Sequence, residues 1–207
     1  MTTGQFLYKV KNHSNVTCFA FQANMETVIV GSDDCSWSLH DIANGQILEV
    51  IQTEAPVTAI EFHPDGLVLG IGLSNGHLDL YDIRTLEKAS SLEAPVQAPL
   101  TALKFSNKGF HMAAAWSNTC RVYSMHKGNT FVDVKLPNEI TSIAFDYYGQ
   151  YFALSSIHEI QIYYFRDFAQ PLCTLSEPAT SLCFETNSAN LIAVHGKQVK
   201  FIQASAK

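Results

Sequence analysis

The chain has 207 residues, which is the length of one domain or of two small ones. Its 13 Lys and Arg residues against 19 Asp and Glu give a formal net charge of -6, which argues against a nucleic-acid footprint made by this chain alone. With 47% apolar and 15% charged residues it is not a disordered tail, and it lacks an uncharged apolar run of transmembrane length and a signal-peptide pattern. We therefore expect a soluble protein of the cytosol or nucleus, without membrane association.

A six-residue pattern recurs five times along the chain, with Thr in its second position and Phe in its sixth. Successive Phe residues lie 41, 43, 40 and 39 positions apart, and so regular a period is typical of repeat architectures. The five copies are VTCFAF at 16–21, VTAIEF at 57–62, LTALKF at 100–105, ITSIAF at 140–145 and ATSLCF at 179–184.

The period within each copy is two residues, which predicts a β-strand. Strict alternation would place Thr58, Ile60 and Phe62 on one face and the intervening residues on the other. We expect the five Phe residues to be buried at equivalent sites. A turn follows each Phe, as in the sequence at 63–66, which ends in a Gly suited to positive φ. The first and fifth repeats lack this Gly, so we expect their turns to differ.

Each repeat continues with a second apolar strand, a third strand and a fourth strand before the next copy begins. Thirteen or more short antiparallel strands with almost no helix are therefore predicted. Four-stranded units of about 40 residues cannot bury both faces alone, and stacking them radially gives a β-propeller. The predicted fold is all-β, one propeller domain over residues 1–207 with five blades, in repeats at about 12–52, 53–95, 96–135, 136–175 and 176–207.

The third strands end in His40-Asp41 and Tyr81-Asp82, where Trp-Asp is common, and in this respect the chain resembles the WD-repeat propellers. The segments at 31–50, 60–85, 100–116 and 145–164 resemble, in the same order, the C-terminal propeller of the pre-mRNA-processing factor nineteen family. The members of that family are U-box ubiquitin ligases of the NineTeen complex.

The resemblance implies a nuclear scaffold for pre-mRNA splicing, in which the propeller binds partners or substrates of a U-box ligase. That family has seven blades, a U-box and an oligomerising coiled coil, whereas these residues contain five repeats and neither of the other elements. The chain itself is therefore expected to bind splicing proteins without enzymatic activity or a cofactor. Its oligomeric state is left open, as is the choice between a closed five-bladed ring and an excerpt of a larger one. Residues 5–11 are expected to form the outer strand of an earlier sheet.

The resemblance also implies a structural hydrogen-bond set of the Asp–His–Ser–Trp type, kept in the first repeat as His13, Ser32 and Asp34. A catalytic interpretation would make His13 and Asp34 a dyad, but the sequence places no nucleophile in a suitable motif. The cysteines lack paired spacing, which predicts reduced thiols and no metal site; they are Cys18, Cys35, Cys120, Cys173 and Cys183.

Several residues near turns are candidates for partner binding. Trp116 stands where the first repeat has Ser32 and would be an exposed anchor, or it would pack against the next blade. Arg84 and Lys88 would meet an acidic partner, or remain solvated charges. Asn118 and His158, in turns equivalent to that of Asp34, complete the set.

Two other functions remain open. A propeller enzyme would place convergent carboxylates or histidines at the axis, and we expect the inner-strand positions that could do so to be mixed and mostly small: Ala20, Glu61, Lys104, Ala144 and Cys183. A WD-repeat scaffold of another pathway is the third possibility, because a fold does not fix function.

Overall fold

The computed structural model describes residues 9, 14–127, 129–186 and 190–203. Within these residues the chain forms nineteen short β-strands and no helix, which confirms the all-β prediction. Accordingly, the described part of the chain offers no helix long and apolar enough to cross a membrane.

The strands form five antiparallel sheets, here called blades 1 to 5, in which each strand pairs with its sequence neighbours. Blade 1 contains β1 (Val16–Phe21), β2 (Thr27–Ser32), β3 (Ser36–Asp41) and β4 (Ile47–Gln52). Blade 2 contains β5 (Val57–Phe62), β6 (Val68–Leu73), β7 (Leu78–Asp82) and β8 (Glu87–Leu92). Blade 3 contains β9 (Leu100–Phe105), β10 (His111–Trp116), β11 (Thr119–Ser124) and β12 (Asn129–Lys135). Blade 4 contains β13 (Ile140–Phe145), β14 (Tyr151–Ser156), β15 (Ile160–Tyr164) and β16 (Cys173–Leu175). Blade 5 contains β17 (Ser181–Phe184), β18 (Asn190–His195) and β19 (Gln198–Gln203).

The hydrophobic core lies between blades rather than within any one of them. The first strand of each blade contacts the first strand of the next, from β1 through β17. At the first junction, Ile29 and Trp37 of blade 1 share a buried cluster with Ile60 and Phe62 of blade 2. Three similar clusters fill the other junctions. A blade thus depends on its neighbours for burial, as expected of repeat folds.

A β-bulge interrupts the predicted alternation at the repeated Thr. In β5 the pairing with β6 shifts between Val57 and Ala59, which leaves Thr58 as the extra residue. Val57 therefore lies on the same face as Ile60 and Phe62, and all three join the core of the first junction. The same shift occurs in β1, β9 and β13, where Thr17, Thr101 and Thr141 are the extra residues. Strict alternation was wrong because a bulge inserts one residue and reverses the faces beyond it.

Four of the five repeated Phe residues are buried, as predicted, and the first is not. Phe62 is 9% exposed, whereas Phe21 is 48% exposed. Each buried ring packs against the preceding blade, as Phe62 packs on Ile29 and Trp37. Phe21 belongs to blade 1, and no earlier blade is present among the described residues to cover it. The burial predicted for Phe21 is therefore wrong.

The turn after β1 has nearly the same geometry as the turns that contain Gly. Met25 takes a φ of 58°, and Gly66 takes 72° at the equivalent position. The Met25 amide donates to the Gln22 carbonyl, as the Gly66 amide donates to that of His63. The prediction that the first turn differs is wrong, since a non-Gly residue here accepts the left-handed conformation at a cost of about 1–2 kcal/mol. The fifth turn lies partly outside the described residues.

The first and fifth blades do not pack face to face in the described part of the chain. Phe19 on the open face of blade 1 is 62% exposed, and Phe201 on the open face of blade 5 is 76% exposed. Of the strand expected at residues 5–11, only Lys9 is described, so that prediction falls outside the described residues.

Candidate interaction surface

Antiparallel blades of this order have two ends with different loops. Turns between first and second strands, and between third and fourth strands, lie at one end, here called the first-turn end. Turns between second and third strands lie at the opposite end with the linkers between blades. Arg84 lies in the turn between β7 and β8 at the first-turn end, while Asn118 and His158 lie at the opposite end. The five residues expected to bind partners thus do not form one surface.

Trp116 is buried, so the expectation of an exposed anchor is wrong. Its ring is 0% exposed, and its Nε1–H donates a hydrogen bond of 2.7 Å to the Gly76 carbonyl oxygen. Gly76 lies in the turn between β6 and β7, so the indole joins blade 3 to the preceding blade. The ring is buried because it lies at the junction of blades 2 and 3, where it packs with Leu78 and Leu100 in a shared core. The alternative prediction, packing against the next blade, was right that the ring is buried between two blades. The ring packs, however, against the preceding blade.

Arg84 and Lys88 already pair with carboxylates of blade 2 and of the linker that precedes it. Arg84 donates from Nε and Nη2 to the two oxygens of Asp82, at 2.9 and 2.5 Å. These hydrogen bonds lower the pKa of Asp82 to about 2. Lys88 lies 3.3 Å from Glu54 and 3.4 Å from the buried carboxylate of Asp79. An acidic partner would compete with these pairs, and its binding to either residue stays a prediction.

Asn118 and His158 lie in equivalent turns, but only the Asn118 side chain is held by a hydrogen bond to a neighbouring strand end, while that of His158 is exposed. The Asn118 amide group donates to the Leu136 carbonyl oxygen at 3.0 Å, which anchors the chain that leaves β12. His158 has an exposed side chain, and its backbone amide donates to Ser156 Oγ at 3.1 Å. Both residues support their loops, and partner binding by either remains a prediction.

Ser32 and Asp34 belong to one hydrogen-bonded loop, whereas His13 lies outside the described residues. Ser32 Oγ donates to the Asn15 carbonyl oxygen at 2.8 Å and accepts from the Asp34 amide at 3.2 Å. The Asp34 carboxylate accepts from Ser36 Oγ at 2.5 Å and from the Ser14 amide at 3.0 Å. These contacts connect the chain before β1 to the turn between β2 and β3.

Glu61 is the one carboxylate among the five inner-strand positions, and it pairs with a lysine of the neighbouring blade. Glu61 of β5 accepts two hydrogen bonds from Lys104 Nζ of β9, at 2.7 and 2.8 Å. Burial raises the pKa of Glu61, and the charge of Lys104 opposes that rise. Ala144, another of the five inner-strand positions, is packed in the core between blades 4 and 5. Glu61, Lys104 and Ala144 thus contact neighbouring blades, whereas Cys183 is exposed, and the five positions form no convergent set of acids or bases.

The described residues also contain no group of three potential metal ligands. Burial raises the pKa of the thiols of Cys18 and Cys120, which makes them poor nucleophiles.

The sequence analysis missed a cluster of exposed aromatic residues at the first-turn end of blades 3 and 4. Phe110 is 60% exposed and Tyr148 is 53% exposed, with Tyr147 beside them. Together with Lys108 and the half-buried His111 they border a pocket of about 160 Å³. The signal was present in the sequence, since these turns carry aromatic residues where turns usually carry small or polar ones.

Comparison with known proteins agrees with the fold and with the resemblance found in the sequence. Pre-mRNA-processing factor 19 of Dictyostelium discoideum is 27% identical over 164 residues, which is 75% of this chain and 32% of that protein. Pre-mRNA-processing factor 19 of Bos taurus is 29% identical over 159 residues, 73% of this chain and 31% of that protein. An uncharacterized WD repeat-containing protein of Schizosaccharomyces pombe is 29% identical over 110 residues, 51% of this chain and 18% of that protein. The chain thus spans about a third of the length of the pre-mRNA-processing factors it matches.

A family model described as nucleolar protein 10-like, N-terminal domain, matches residues 2–170. That range covers blades 1 to 3 and most of blade 4. Since the model describes a β-propeller and matches most of the sequence, this chain belongs to the family of nucleolar protein 10-like N-terminal propeller domains.

Proposed function

We propose that this propeller is a protein-interaction scaffold that acts in pre-mRNA splicing in the nucleus. In its finer form, the proposal is that the propeller binds partners or substrates within a NineTeen-type assembly that contains a U-box ubiquitin ligase. Relatives named pre-mRNA-processing factor 19 support the pathway. The aromatic cluster at the first-turn end is the observation on this chain that carries the binding role.

Aromatic side chains at an exposed surface favour protein recognition, because they offer large contact areas at low cost in conformational entropy. The turn that carries Tyr147 and Tyr148 is held in place by the buried carboxylate of Asp146. This carboxylate accepts hydrogen bonds from the amides of Tyr148, Gln150 and Tyr151, at 2.6 to 3.2 Å. A pre-ordered turn loses little entropy on binding, which supports its use as a docking site.

Charge supports a protein partner over bare RNA. The chain carries a formal net charge of -6, so a phosphate backbone would be repelled at long range. Lys108 supplies a local positive charge beside the aromatic cluster, which suits a partner segment with an acidic residue next to an apolar one.

The proposal is tested by affinity capture from nuclear extract with the wild-type chain and a Phe110→Ser, Tyr148→Ser double variant. The matched control is Leu67→Ser, which removes an exposed apolar side chain at the position of blade 2 equivalent to Phe110. We expect splicing proteins to be recovered by the wild type and the control and lost by the double variant. A folded wild-type chain that recovers no splicing protein would refute the proposal.

A second candidate function is a protein-interaction scaffold in the nucleolus. It is one form of the alternative, left open by the sequence, that the propeller serves a pathway other than splicing. The name of the family, nucleolar protein 10-like, favours it. The same capture experiment separates the two functions, because the second one predicts that nucleolar proteins are recovered in place of splicing factors.

A further inference from the structure

At two blade junctions, the side chain that follows the repeated Phe extends over the turn of the next blade. Gln22 Nε2 donates to the Gly66 carbonyl oxygen at 2.8 Å, which joins blades 1 and 2. His63 Nε2 lies 2.9 Å from the Gly109 carbonyl oxygen, which joins blades 2 and 3. Since a carbonyl oxygen can only accept, the His63 Nε2 atom carries the proton. These junctions share one design, in which a planar side chain donates an N–H to a glycine carbonyl.

The third junction, between blades 3 and 4, has the acceptor turn but not the donor. Ser106 occupies the equivalent position, and its short side chain accepts a hydrogen bond from the His111 amide of its own blade at 3.0 Å. Among the described residues, no side chain donates to the Gly149 carbonyl. The space above Gly149 is open, since a Cβ built there would meet no atom within 4 Å. At Gly109 the same atom would collide with His63 Nε2.

This open space is the pocket of about 160 Å³ already described. Pockets for drug-sized ligands span roughly 300–1,000 Å³, so this one has the size of a single side chain. It is lined by residues of blades 3 and 4, chiefly Ser106, Phe110, His111, Phe145, Tyr148 and Gly149.

The residues that line the pocket are equivalent to those that surround His63 at the preceding junction. His63 packs edge-on against Phe105, with 5.3 Å between ring centroids. Phe145 is the equivalent of Phe105 and lines the pocket, and Gly149 has the φ of 72° found at Gly109. Burial lowers the pKa of His111, so this wall is uncharged at neutral pH. The pocket therefore offers an aromatic wall and a backbone acceptor, the two features of the following blade that contact His63; the other contact of His63, with Asp65, lies within its own turn.

We propose that this pocket binds one planar side chain with an N–H donor, a histidine or glutamine of a partner protein, in the position that His63 occupies at the preceding junction. The donor bonds the Gly149 carbonyl, and its planar group packs on Phe145. The inference deepens the proposed function, on which it rests, because it names the chemistry that the aromatic end of blades 3 and 4 recognises.

The test uses two small probes, N-acetyl-histidine methylamide and N-acetyl-leucine methylamide, added to the isotope-labelled chain and followed by NMR. The titration is run well above pH ~6.5, where the imidazole is neutral. We expect the amide signals of Phe145, Tyr148 and Gly149 to shift with the histidine probe. One net hydrogen bond predicts that this probe binds about two- to tenfold tighter than the leucine probe. Equal or tighter binding of the leucine probe, or no shift with either, would overturn the proposal.

Two variants at one position supply the matched control. Ser106→His should fill the pocket from within the chain and abolish the shifts. Ser106→Ala loses the same hydroxyl but leaves the pocket open, so it should bind the histidine probe as the wild type does. The new imidazole bond replaces the lost serine bond, so the Tm of Ser106→His should stay within roughly 2–4 °C of wild type. Undiminished binding by a folded Ser106→His variant would also overturn the proposal.

The two proposals fail in different ways. If Ser106→His loses the probe but still captures splicing proteins from extract, the use of the pocket by the partner is overturned and the proposed function stands. If the wild type binds the probe but captures neither splicing nor nucleolar proteins, the pocket stands and the proposed function fails.

Discussion

Thr17 Oγ1 lies 2.7 Å from the carbonyl oxygen of Val57, so the hydroxyl of one inner strand donates to the backbone of the next. The β-bulge at this Thr turns the side chain toward the neighbouring blade. Thr101 and Thr141 make the same bond to Ile140 and Ala179, at 3.3 and 2.6 Å. The repeated Thr therefore joins blades, which explains why the motif carries a hydroxyl in its second position.

Two of the five repeated Thr residues do not make this bond. Thr180 Oγ1 donates to the Val194 carbonyl oxygen of its own blade at 2.9 Å, and Thr58 gives a matched control. Its Oγ1 is buried without a hydrogen-bond partner among the described residues. Thr141→Val should lower the free energy of unfolding by about 0.5–1.5 kcal/mol, because it removes the bond to Ala179. Thr58→Val should leave stability unchanged or raise it, since it removes an unpaired hydroxyl. Urea unfolding measures both, and equal losses in the two variants would contradict this role for the hydroxyl.

The repeated Phe residues should differ in their contribution to stability according to the blade they belong to. Phe105→Ala should cost about 3–5 kcal/mol, the usual loss for a buried aromatic ring. Phe21→Ala should cost only about 1 kcal/mol, because its ring is already about half exposed. Chemical unfolding of both variants tests this difference. A loss at Phe21 as large as that at Phe105 would show that another element covers the open face of blade 1.

Alanine substitutions at the glycines of two equivalent turns distinguish the cost of backbone strain from the cost of a lost contact. Both Gly109 and Gly149 have a φ of 72°, so alanine at either should cost about 1–2 kcal/mol in strain. Gly109→Ala should cost a further ~0.5–1.5 kcal/mol, because the new Cβ would displace His63 from its hydrogen bond. Thermal unfolding of the two variants measures the difference. Equal costs would mean that the His63 contact adds nothing.

The pKa of Glu61 should lie above its ordinary value of 4.5, because the carboxyl is buried. Lys104→Gln should raise this pKa further, since the lysine charge lowers it in the wild type. The folded chain holds this proton more tightly than the unfolded chain does. Glu61 therefore contributes stability below pH 4.5, and that contribution is lost as the pH rises through the folded pKa. Carbon-13 NMR titration checks the shift, and a Glu61 pKa below 4.5 in the wild type would contradict it.

The isolated chain should build no polyubiquitin in a reconstituted ubiquitylation assay. The resemblance found in the sequence implies a ligase whose activity resides in a U-box, and the five repeats show no such segment. Full-length pre-mRNA-processing factor 19 is the positive control. Robust chain formation by these 207 residues would show that the propeller does more than bind.

The repeat, the strand order and the fold class could all be predicted from the amino-acid sequence. These features follow from local patterns, because the two-residue period of VTAIEF at 57–62 and the glycine turn after it are set by near neighbours. The same patterns led to the resemblance to the pre-mRNA-processing factor nineteen family, since the segments that carry it lie within single repeats.

Whether residues at the same motif position have the same environment could be learned only from the packing of the blades. Phe21 and Phe62 share a motif position, but among the described residues only Phe62 has a preceding blade to pack against. Trp116 looks like a loop aromatic in the sequence, yet the Gly76 carbonyl of another blade pairs with its indole. The pocket above Gly149 arises from Ser106, a residue unremarkable in the sequence. Burial and pairing depend on neighbours about forty residues away, and no local pattern states what those neighbours are.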